Sequence, residues 1–293
     1  MTGFRGWWKR LQFGLPTVLG LAPRGFFIPY RHAGSIARPV PPYSSIEAMF
    51  ANHADAFAER LAETERYWPE LSDIGATPSQ PPAPRWRQDW FPRLDAAMAY
   101  GLTRNLAPAR IVEIGSGHST RFYARAVLDG GLATVITAID PAPRADLAGL
   151  ASVQLRRSVV QAVDSDVFAA LDPGDILSID SSHILMPGSD VDLLLNQVLP
   201  ALPTGIHVHI HDMFLPDAYP QDWAWRGYNE QLGVATLLNG GGWDPVFSSQ
   251  YVLTRRPELF HASRISELPL PAGAVESGLW LKKSVAQERV IKD

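Results

Sequence analysis

The stretch from Arg110 to Thr120 reads RIVEIGSGHST and decides the fold. Its first part, residues 111–114, is an apolar run broken only by one acid and suits a buried parallel strand. Gly115 and Gly117 then permit a sharp turn before a helix that we expect to begin near Ser119. The stretch therefore predicts a strand, a glycine turn and a helix, which together form a site for a nucleotide-type cofactor.

A second apolar run, TVITAID, ends in Asp140, where doubly wound α/β folds place the acid that binds ribose hydroxyls. Dinucleotides bring a pyrophosphate, and their motif has a third glycine where this chain has Thr120. Glu113, just before the glycine turn, would repel phosphates but suits a ligand with ammonium and sulfonium groups. These residues favour S-adenosylmethionine and leave an NAD-dependent oxidoreductase as the alternative.

On this motif the chain resembles class I S-adenosylmethionine-dependent methyltransferases of the family 24 type, whose first motif is E/D-x-G-x-G. The resemblance covers roughly residues 108–255. It implies a doubly wound, mostly parallel, seven-stranded Rossmann-like α/β sheet. It also implies cofactor binding by Glu113, Gly115, Gly117, His118, Ser119, Asp140 and Asp180. The alternative for Glu113 and Asp140 is helix capping or a solvated strand end.

Strand and helix patterns continue to alternate beyond Asp140. We predict strands within residues 153–160, 175–180 and 206–212, and helices through residues 168–171 and 191–202. This alternation implies parallel strands joined by right-handed crossovers. In the family an antiparallel hairpin closes the sheet, and residues 243–253 and 278–283 are its candidates.

Polar side chains follow the fourth and fifth predicted strands, where open parallel sheets have their ligand crevice. Similar metal-dependent small-molecule O-methyltransferases bind magnesium here, and by that resemblance Asp180, His211 and Asp212 would be metal ligands. Those relatives have an acid in place of His211, and magnesium prefers oxygen, so manganese, iron or no metal remain open. Along the fifth strand, His207 and His211 lie about 13 Å apart, too far to share one ion. We expect His207 and His209 to be packed strand residues.

Methyl transfer is an in-line displacement, in which an enzyme positions donor and acceptor and helps to deprotonate the acceptor. His183, with an unperturbed pKa of about 6.5, is the predicted general base, and His211 and Asp212 are the alternatives. Residues 213–231 carry five aromatic side chains, which we expect either to cover the acceptor or to pack on the N-terminal extension. We predict O-methylation of a small molecule or a sugar or glycan precursor.

We predict an N-terminal extension over residues 1–85 and a methyltransferase domain over residues 86–293. The extension contains an aromatic and basic arm (residues 1–33), an amphipathic helix from Ser44 to about Tyr67, and a proline-rich linker from Thr77 to Trp86. The arm is too short and too interrupted for a membrane span. It is expected to contact the domain, another subunit of a homo-oligomer or a membrane surface. A noncatalytic cofactor-binding scaffold attached through this arm is the alternative to an enzyme.

Net charge and cysteine content restrict the classes of partner and ligand that the chain could bind. A net charge of −4 and a pI near 6.1 give no electrostatic footprint for nucleic acid. The chain has no cysteine, which excludes disulfides and thiolate zinc sites and agrees with a cytoplasmic location. We therefore expect a small-molecule acceptor and no nucleic-acid partner.

Overall fold

Seven strands lie within residues 2–76 and 80–285, the part of the chain that this computed structural model describes. They are β1 (Arg110–Ile114), β2 (Val135–Ile139), β3 (Val153–Arg156), β4 (Ile176–Ile179), β5 (His207–Ile210), β6 (Trp243–Ser248) and β7 (Leu279–Lys283). Each strand lies in one of the segments that the sequence predicted to form a strand. Residues 77–79 of the predicted linker lie outside the described residues.

The strands form one sheet in the order β3-β2-β1-β4-β5-β7-β6. The first five strands of this order are parallel, and β7 runs antiparallel to both β5 and β6. This confirms the predicted doubly wound, mostly parallel sheet with an antiparallel end. The two last strands pair as predicted but are not joined by a tight turn, since a largely helical segment separates Ser248 from Leu279. Only residues 243–248 of the predicted segment 243–253 form a strand, and the rest is helical.

The helices flank this sheet and join its strands. They are α1 (Thr2–Val18), α2 (Ser44–Asn52), α3 (Ala54–Glu65), α4 (Trp68–Asp73), α5 (Arg93–Leu106), α6 (His118–Gly130), α7 (Asp166–Ala169), α8 (Asp190–Leu193), α9 (Leu199–Ala201), α10 (Glu230–Asn239), α11 (Ser249–Arg255) and α12 (Pro257–Ala262). A π-helical turn over Leu194–Val198 connects α8 to α9. Lys283, at the end of β7, donates hydrogen bonds to three carbonyls at the end of α9, those of Leu199, Pro200 and Leu202.

The prediction of one helix from Ser44 to about Tyr67 was wrong, because the segment forms α2 and α3 with a break at His53. The backbone of His53 leaves helical geometry, at φ −106° and ψ 6°. Its Nδ1 lies 2.8 Å from the carbonyl oxygen of Met49, so the side chain replaces a regular contact of the helix backbone.

Helices α2 and α3 contribute to the same hydrophobic core as the sheet. Phe50 and Phe57 are fully buried and lie edge-on to Tyr251. Trp86 donates a hydrogen bond from its indole to the carbonyl of Leu71 across the predicted boundary. The division of the chain at residues 85 and 86 stays a proposal about its organisation, although packing joins the two sides.

The carboxyl ends of β1, β2, β4 and β5 meet at one edge of the sheet. Two non-glycine residues there, His183 (φ 60°) and Asp212 (φ 55°), have left-handed backbone conformations directly after β4 and β5. Such conformations cost about 1–3 kcal/mol each and concentrate at functional sites. The strained turns therefore mark this edge as the candidate site.

Candidate functional site

A cavity of about 460 Å³ opens at the carboxyl ends of β1, β2 and β4. Its volume lies within the range of small-molecule sites, about 300–1,000 Å³. The residues that line it and enter the argument below are Gly115, Ser116, Ile139, Asp140, Pro141, Arg144, Val160, Asp180 and Asp190. Three of them are carboxylates and one is a guanidinium, so the wall favours a cationic guest over a pyrophosphate.

Gly115 allows the β1 turn to approach β4 closely. Its φ is +76°, and a Cβ at this position would lie 2.0 Å from the backbone oxygen of Asp180. At Gly117 a Cβ would meet no atom nearer than 3.7 Å. Close approach therefore requires the first glycine of the motif, and the second one only permits the entry into α6.

Asp140 is fixed at the cavity wall by the turn that follows β1. Its Oδ2 accepts the backbone N–H of Ser116 at 2.7 Å, and its Oδ1 accepts that of Ala142 at 2.7 Å. Each carboxylate oxygen has two lone pairs, so the group retains capacity for ligand hydroxyls. The structure thus places Asp140 where the sequence predicted a ribose-binding acid.

Glu113 lies behind the glycine turn and does not line the cavity. Its carboxylate is 1% exposed and accepts hydrogen bonds from the hydroxyls of Ser119 (2.5 Å) and Thr120 (2.6 Å). Thr120 also accepts the N–H of Gly117 at 2.9 Å. Burial raises the pKa of Glu113 to about 8, against these hydrogen bonds. Glu113 therefore ties the strand to the first turn of α6.

His118 is buried next to the same turn, and within the described part of the chain its Nδ1 has no hydrogen-bond partner. Burial and the nearby charges of Arg85 and Arg121 lower its pKa to about 4. The Nε of Arg85 is likewise buried without a partner among the described residues. Buried polar atoms of this kind are rare and often await a ligand.

Beside the cavity, two imidazoles and four carboxylates form a cluster that we call the imidazole–carboxylate cluster: His183, His211, Asp95, Asp180, Asp212 and Glu230. Nδ1 of His183 lies 2.8 Å from Glu230, and its Nε2 lies 3.2 Å from Asp180 and 3.5 Å from Asp212. His183 is 3% exposed and packs on the ring of Tyr228, with ring centroids 4.6 Å apart. Both of its ring nitrogens therefore face carboxylates.

His211 has a similar environment. Its Nδ1 lies 3.7 Å from Asp180 and 3.6 Å from Asp212, and its Nε2 lies 3.4 Å from Asp95. Burial lowers the pKa of both imidazoles, but the surrounding carboxylates outweigh it and raise both pKa values well above the usual range. Burial also opposes ionisation of Asp180, yet the two imidazoles lower its pKa. The carboxylates around the two imidazoles thus favour the protonated form of each ring.

Two carboxylates of the cluster were not among the predicted cofactor-binding, catalytic or metal-binding residues. Asp95 lies on α5 and accepts the backbone N–H groups of Ser277 and Gly278, both at 2.8 Å. Glu230 begins α10 and is fully buried. The signal for Asp95 is an acid within an otherwise apolar helical run, LDAAMAYGL. Glu230 follows the aromatic segment and carries no comparable signal.

His207 and His209 lie within β5 and belong to the strand, as expected. Burial lowers the pKa of His209 to about 3, and its Nδ1 lies 3.0 Å from the hydroxyl of Ser178. His207 is 7% exposed. His211, the first residue after β5, is the one that reaches the cluster.

The predicted metal ligands Asp180, His211 and Asp212 come together, but they do not fit an ion in this arrangement. Imidazole nitrogens of His183 and His211 face the two carboxylates on which a cation would depend. Within residues 2–76 and 80–285, no group of three or more His, Cys, Asp or Glu residues is arranged to hold a metal ion.

Residues 213–229 form a loop over the cluster, which we call the aromatic loop. Phe214, Tyr219, Trp223 and Tyr228 pack on one another edge to face, and Arg226 lies over the ring of Trp223 at 3.9 Å. Trp225 meets α1, since a Cβ at Gly6 would lie 3.2 Å from its ring. The loop thus contacts both the cluster and the N-terminal arm.

Residues 112–213 match the model of a methyltransferase family, Methyltransf_24, described as a methyltransferase domain. The matched segment begins in β1, ends just after Asp212 and so contains the cavity and most of the cluster. No curated protein shows significant similarity to the sequence.

Several solved structures are similar to the chain. An SAH-bound methyltransferase from Podospora anserina is 16% identical, covers 89% of this chain and 100% of its own, and has a TM-score of 0.42. An SAH-bound O-methyltransferase from Bacillus cereus is 10% identical, with coverages of 84% and 94% and a TM-score of 0.40. A SAM-bound O-methyltransferase from Streptomyces achromogenes, involved in tomaymycin synthesis, is 14% identical, with coverages of 78% and 90% and a TM-score of 0.39.

Proposed function

Because the chain carries a class I S-adenosylmethionine-dependent methyltransferase domain of the family 24 type, we propose that it methylates a hydroxyl oxygen of a small molecule or of a sugar or glycan precursor. One observation carries the proposal: Asp180 lines the cavity and also belongs to the imidazole–carboxylate cluster. A cofactor site and a group of proton-accepting side chains therefore meet at one carboxylate. Methyl transfer to a hydroxyl needs a bound methyl donor and a proton acceptor next to each other.

The lining of the cavity supports S-adenosylmethionine as the cofactor. Asp140 would accept hydrogen bonds from the ribose hydroxyls, and the acidic wall suits a sulfonium. Ile139, Pro141 and Val160 provide an apolar surface for the adenine ring.

The residues of the glycine motif shape the turn beside the cavity. Gly115 brings the turn against β4, and Gly117 opens α6. We propose that Glu113 acts through Ser119 and Thr120, which it holds by hydrogen bonds, rather than by touching the methionine part of the cofactor. Its role is therefore to position the turn.

Bound S-adenosylmethionine supplies an electrophilic methyl group and leaves as a neutral thioether. We assign proton removal to Asp212, which takes the proton of the acceptor hydroxyl as the oxygen–carbon bond forms and the carbon–sulfur bond breaks. His183 is not assigned the base role that its ordinary pKa predicted, because both of its nitrogens face carboxylates. It is a positioning residue: its Nε2 lies between Asp180 and Asp212 and reduces the repulsion between their carboxylates.

Divalent-metal assistance, expected from the resemblance, is not part of the proposal. The imidazolium groups of His183 and His211 lie against the carboxylates that would bind the ion. The aromatic loop supplies the acceptor side, since Tyr228 covers His183 and its neighbours offer ring faces suited to a sugar or aromatic acceptor.

The proposal is tested by calorimetry with S-adenosylmethionine and by transfer of label from methyl-tritiated donor to fractionated cell extract. We expect binding in the micromolar range and a labelled product that Asp212→Asn reduces by about 10²–10⁴-fold in kcat, with cofactor affinity retained. Binding without transfer to any fraction would indicate a noncatalytic scaffold. Binding of NADH in place of S-adenosylmethionine would indicate the oxidoreductase.

A further inference from the structure

The N-terminal helix α1 exposes an apolar face. Trp8, Leu11, Leu15 and Val18 recur at helical spacing, and about 100° per residue places them on one side of the helix. Trp8, Leu15 and Val18 are 58%, 51% and 59% exposed. The body of the protein meets a different side of α1, where Gly6 lies against Trp225. Trp8 and Leu15 therefore lie outside the contact with the body, whereas Val18 borders a groove between the arm and the body.

The segment that follows α1 extends this apolar surface. Leu19, Leu21, Phe26, Phe27, Ile28 and Tyr30 are each more than half exposed. Exposed apolar side chains are normal when they are scattered, but a concentration in one short segment marks an interaction site. We call Trp8, Leu15, Val18 and these six residues the arm patch.

All charged side chains of the N-terminal segment are positive. Residues 1–46 contain six lysines and arginines (Arg5, Lys9, Arg10, Arg24, Arg31 and Arg38), and the first acid is Glu47. Since the whole chain has a net charge of −4, residues 47–293 carry a net charge of −10. An anionic surface would therefore attract the arm and repel the body, which orients the molecule.

We propose that the arm patch docks on the surface of an anionic lipid bilayer. The arm patch would enter the boundary between headgroups and acyl chains, with Lys9, Arg10 and Arg24 beside lipid phosphates. Aromatic and aliphatic side chains next to arginine and lysine are the composition of interfacial helices. Within the described residues, no helix is long and apolar enough to cross a bilayer, so the contact would be peripheral.

The test is co-sedimentation of the full chain with phosphatidylcholine vesicles, with and without phosphatidylglycerol. We expect binding to the anionic vesicles only, weakened by high salt. The pair Lys9→Glu and Arg31→Glu should weaken vesicle binding about tenfold or more. The pair Trp8→Ser and Leu15→Ser should also weaken it, at low salt as well as at high salt.

Matched controls are Leu128→Ser, which removes a 75% exposed apolar side chain on α6, and Arg87→Glu, which reverses an exposed charge outside the arm. Thermal melting of every variant checks the fold. The proposal is overturned if the chain binds no vesicles, or if the arm variants bind as well as the controls do. If vesicle binding is absent and light scattering shows that the arm variants, but not the controls, change the molar mass of the protein, the patch is a subunit interface instead.

Discussion

Oδ1 of Asp180 lies 3.2 Å from Nε2 of His183, at the boundary between the cavity and the imidazole–carboxylate cluster. The same histidine reaches Glu230 through its other nitrogen. A single side chain therefore contacts carboxylates from two different parts of the fold. The following predictions depend on that arrangement and on the turn beside it.

Replacing His183 should damage stability and turnover more than cofactor affinity. His183→Gln leaves Glu230 buried without an ion partner, which we expect to cost about 3 kcal/mol of unfolding free energy. Urea unfolding measures this cost, and Glu230→Gln in the same background should recover part of it. The exposed substitution His261→Ala is the control. Equal costs for His183→Gln and the control would show that the cluster is not ionic.

Asp140→Asn should weaken S-adenosylmethionine binding by about 10- to 100-fold, because hydrogen bonds to a charged acceptor contribute about 1.5–3 kcal/mol. Asparagine keeps one oxygen for the backbone N–H of Ser116 or Ala142, so the turn should survive. Calorimetry gives the dissociation constant. The exposed Asp166→Asn serves as the comparison, and unchanged binding in Asp140→Asn would remove the ribose role.

The pH dependence of stability should report on Glu113. Its folded pKa of about 8 lies above its ordinary value of 4.5, so between these pH values the folded state holds a proton that the unfolded state has lost. The stabilisation is complete below pH 4.5 and is lost as pH rises through 8, with a slope of up to about 1.4 kcal/mol per pH unit. Glu113→Gln should flatten this part of the profile.

Urea unfolding at several pH values between 5 and 9 compares the two proteins. Glutamine imitates the neutral carboxyl and can still contact Ser119 and Thr120. We therefore expect cofactor affinity to stay within a few-fold of the original. A large loss of affinity in Glu113→Gln would instead support the direct, charged contact with the cofactor that the sequence motif implied.

Gly115→Ala should be far more damaging than an alanine at another glycine with positive φ. At Gly115 the added methyl group would meet the backbone of Asp180 at 2.0 Å, whereas at Gly174 (φ +94°) no atom lies within 4 Å. Gly174→Ala measures the conformational cost alone, about 1 kcal/mol. Melting temperatures should fall much further for Gly115→Ala, and similar shifts for the two would contradict the close approach.

Chelation should leave the enzyme unchanged. After dialysis against EDTA we expect the same cofactor affinity and the same turnover, because the carboxylates of Asp180 and Asp212 already face imidazolium groups. Restoration of lost turnover by manganese or zinc would show the opposite. His183 and His211 would then bind an ion through the nitrogens to which protons are assigned above.

The fold could be predicted because β1, β2 and β4 are mainly apolar, and because β2, β4 and β5 are followed directly by the polar residues that reach the crevice. Local pattern is enough for such strands, since burial on both faces makes them apolar throughout. The break of the helix at His53 was not predicted because the helical spacing of apolar residues continues across it. A side chain that contacts the carbonyl of Met49 leaves no trace in that spacing.

The cluster could be predicted only in part. Asp180, His211 and Asp212 follow strands, whose ends meet at one edge by topology. Asp95 and Glu230 reach the same place from α5 and α10, and their positions depend on tertiary packing that the sequence pattern does not encode. For the same reason, the sequence identified His183 and its neighbours Asp180 and Asp212 but not Glu230, which faces its other ring nitrogen.

Strand β7 has a consequence for synthesis on the ribosome. It occupies an interior place in the sheet, although it is made after its two neighbours β5 and β6. Until β7 emerges, β5 keeps an unpaired edge, and Ser277 and Gly278 cannot yet hold Asp95. The imidazole–carboxylate cluster of a nascent chain is therefore complete only when translation has passed Lys283.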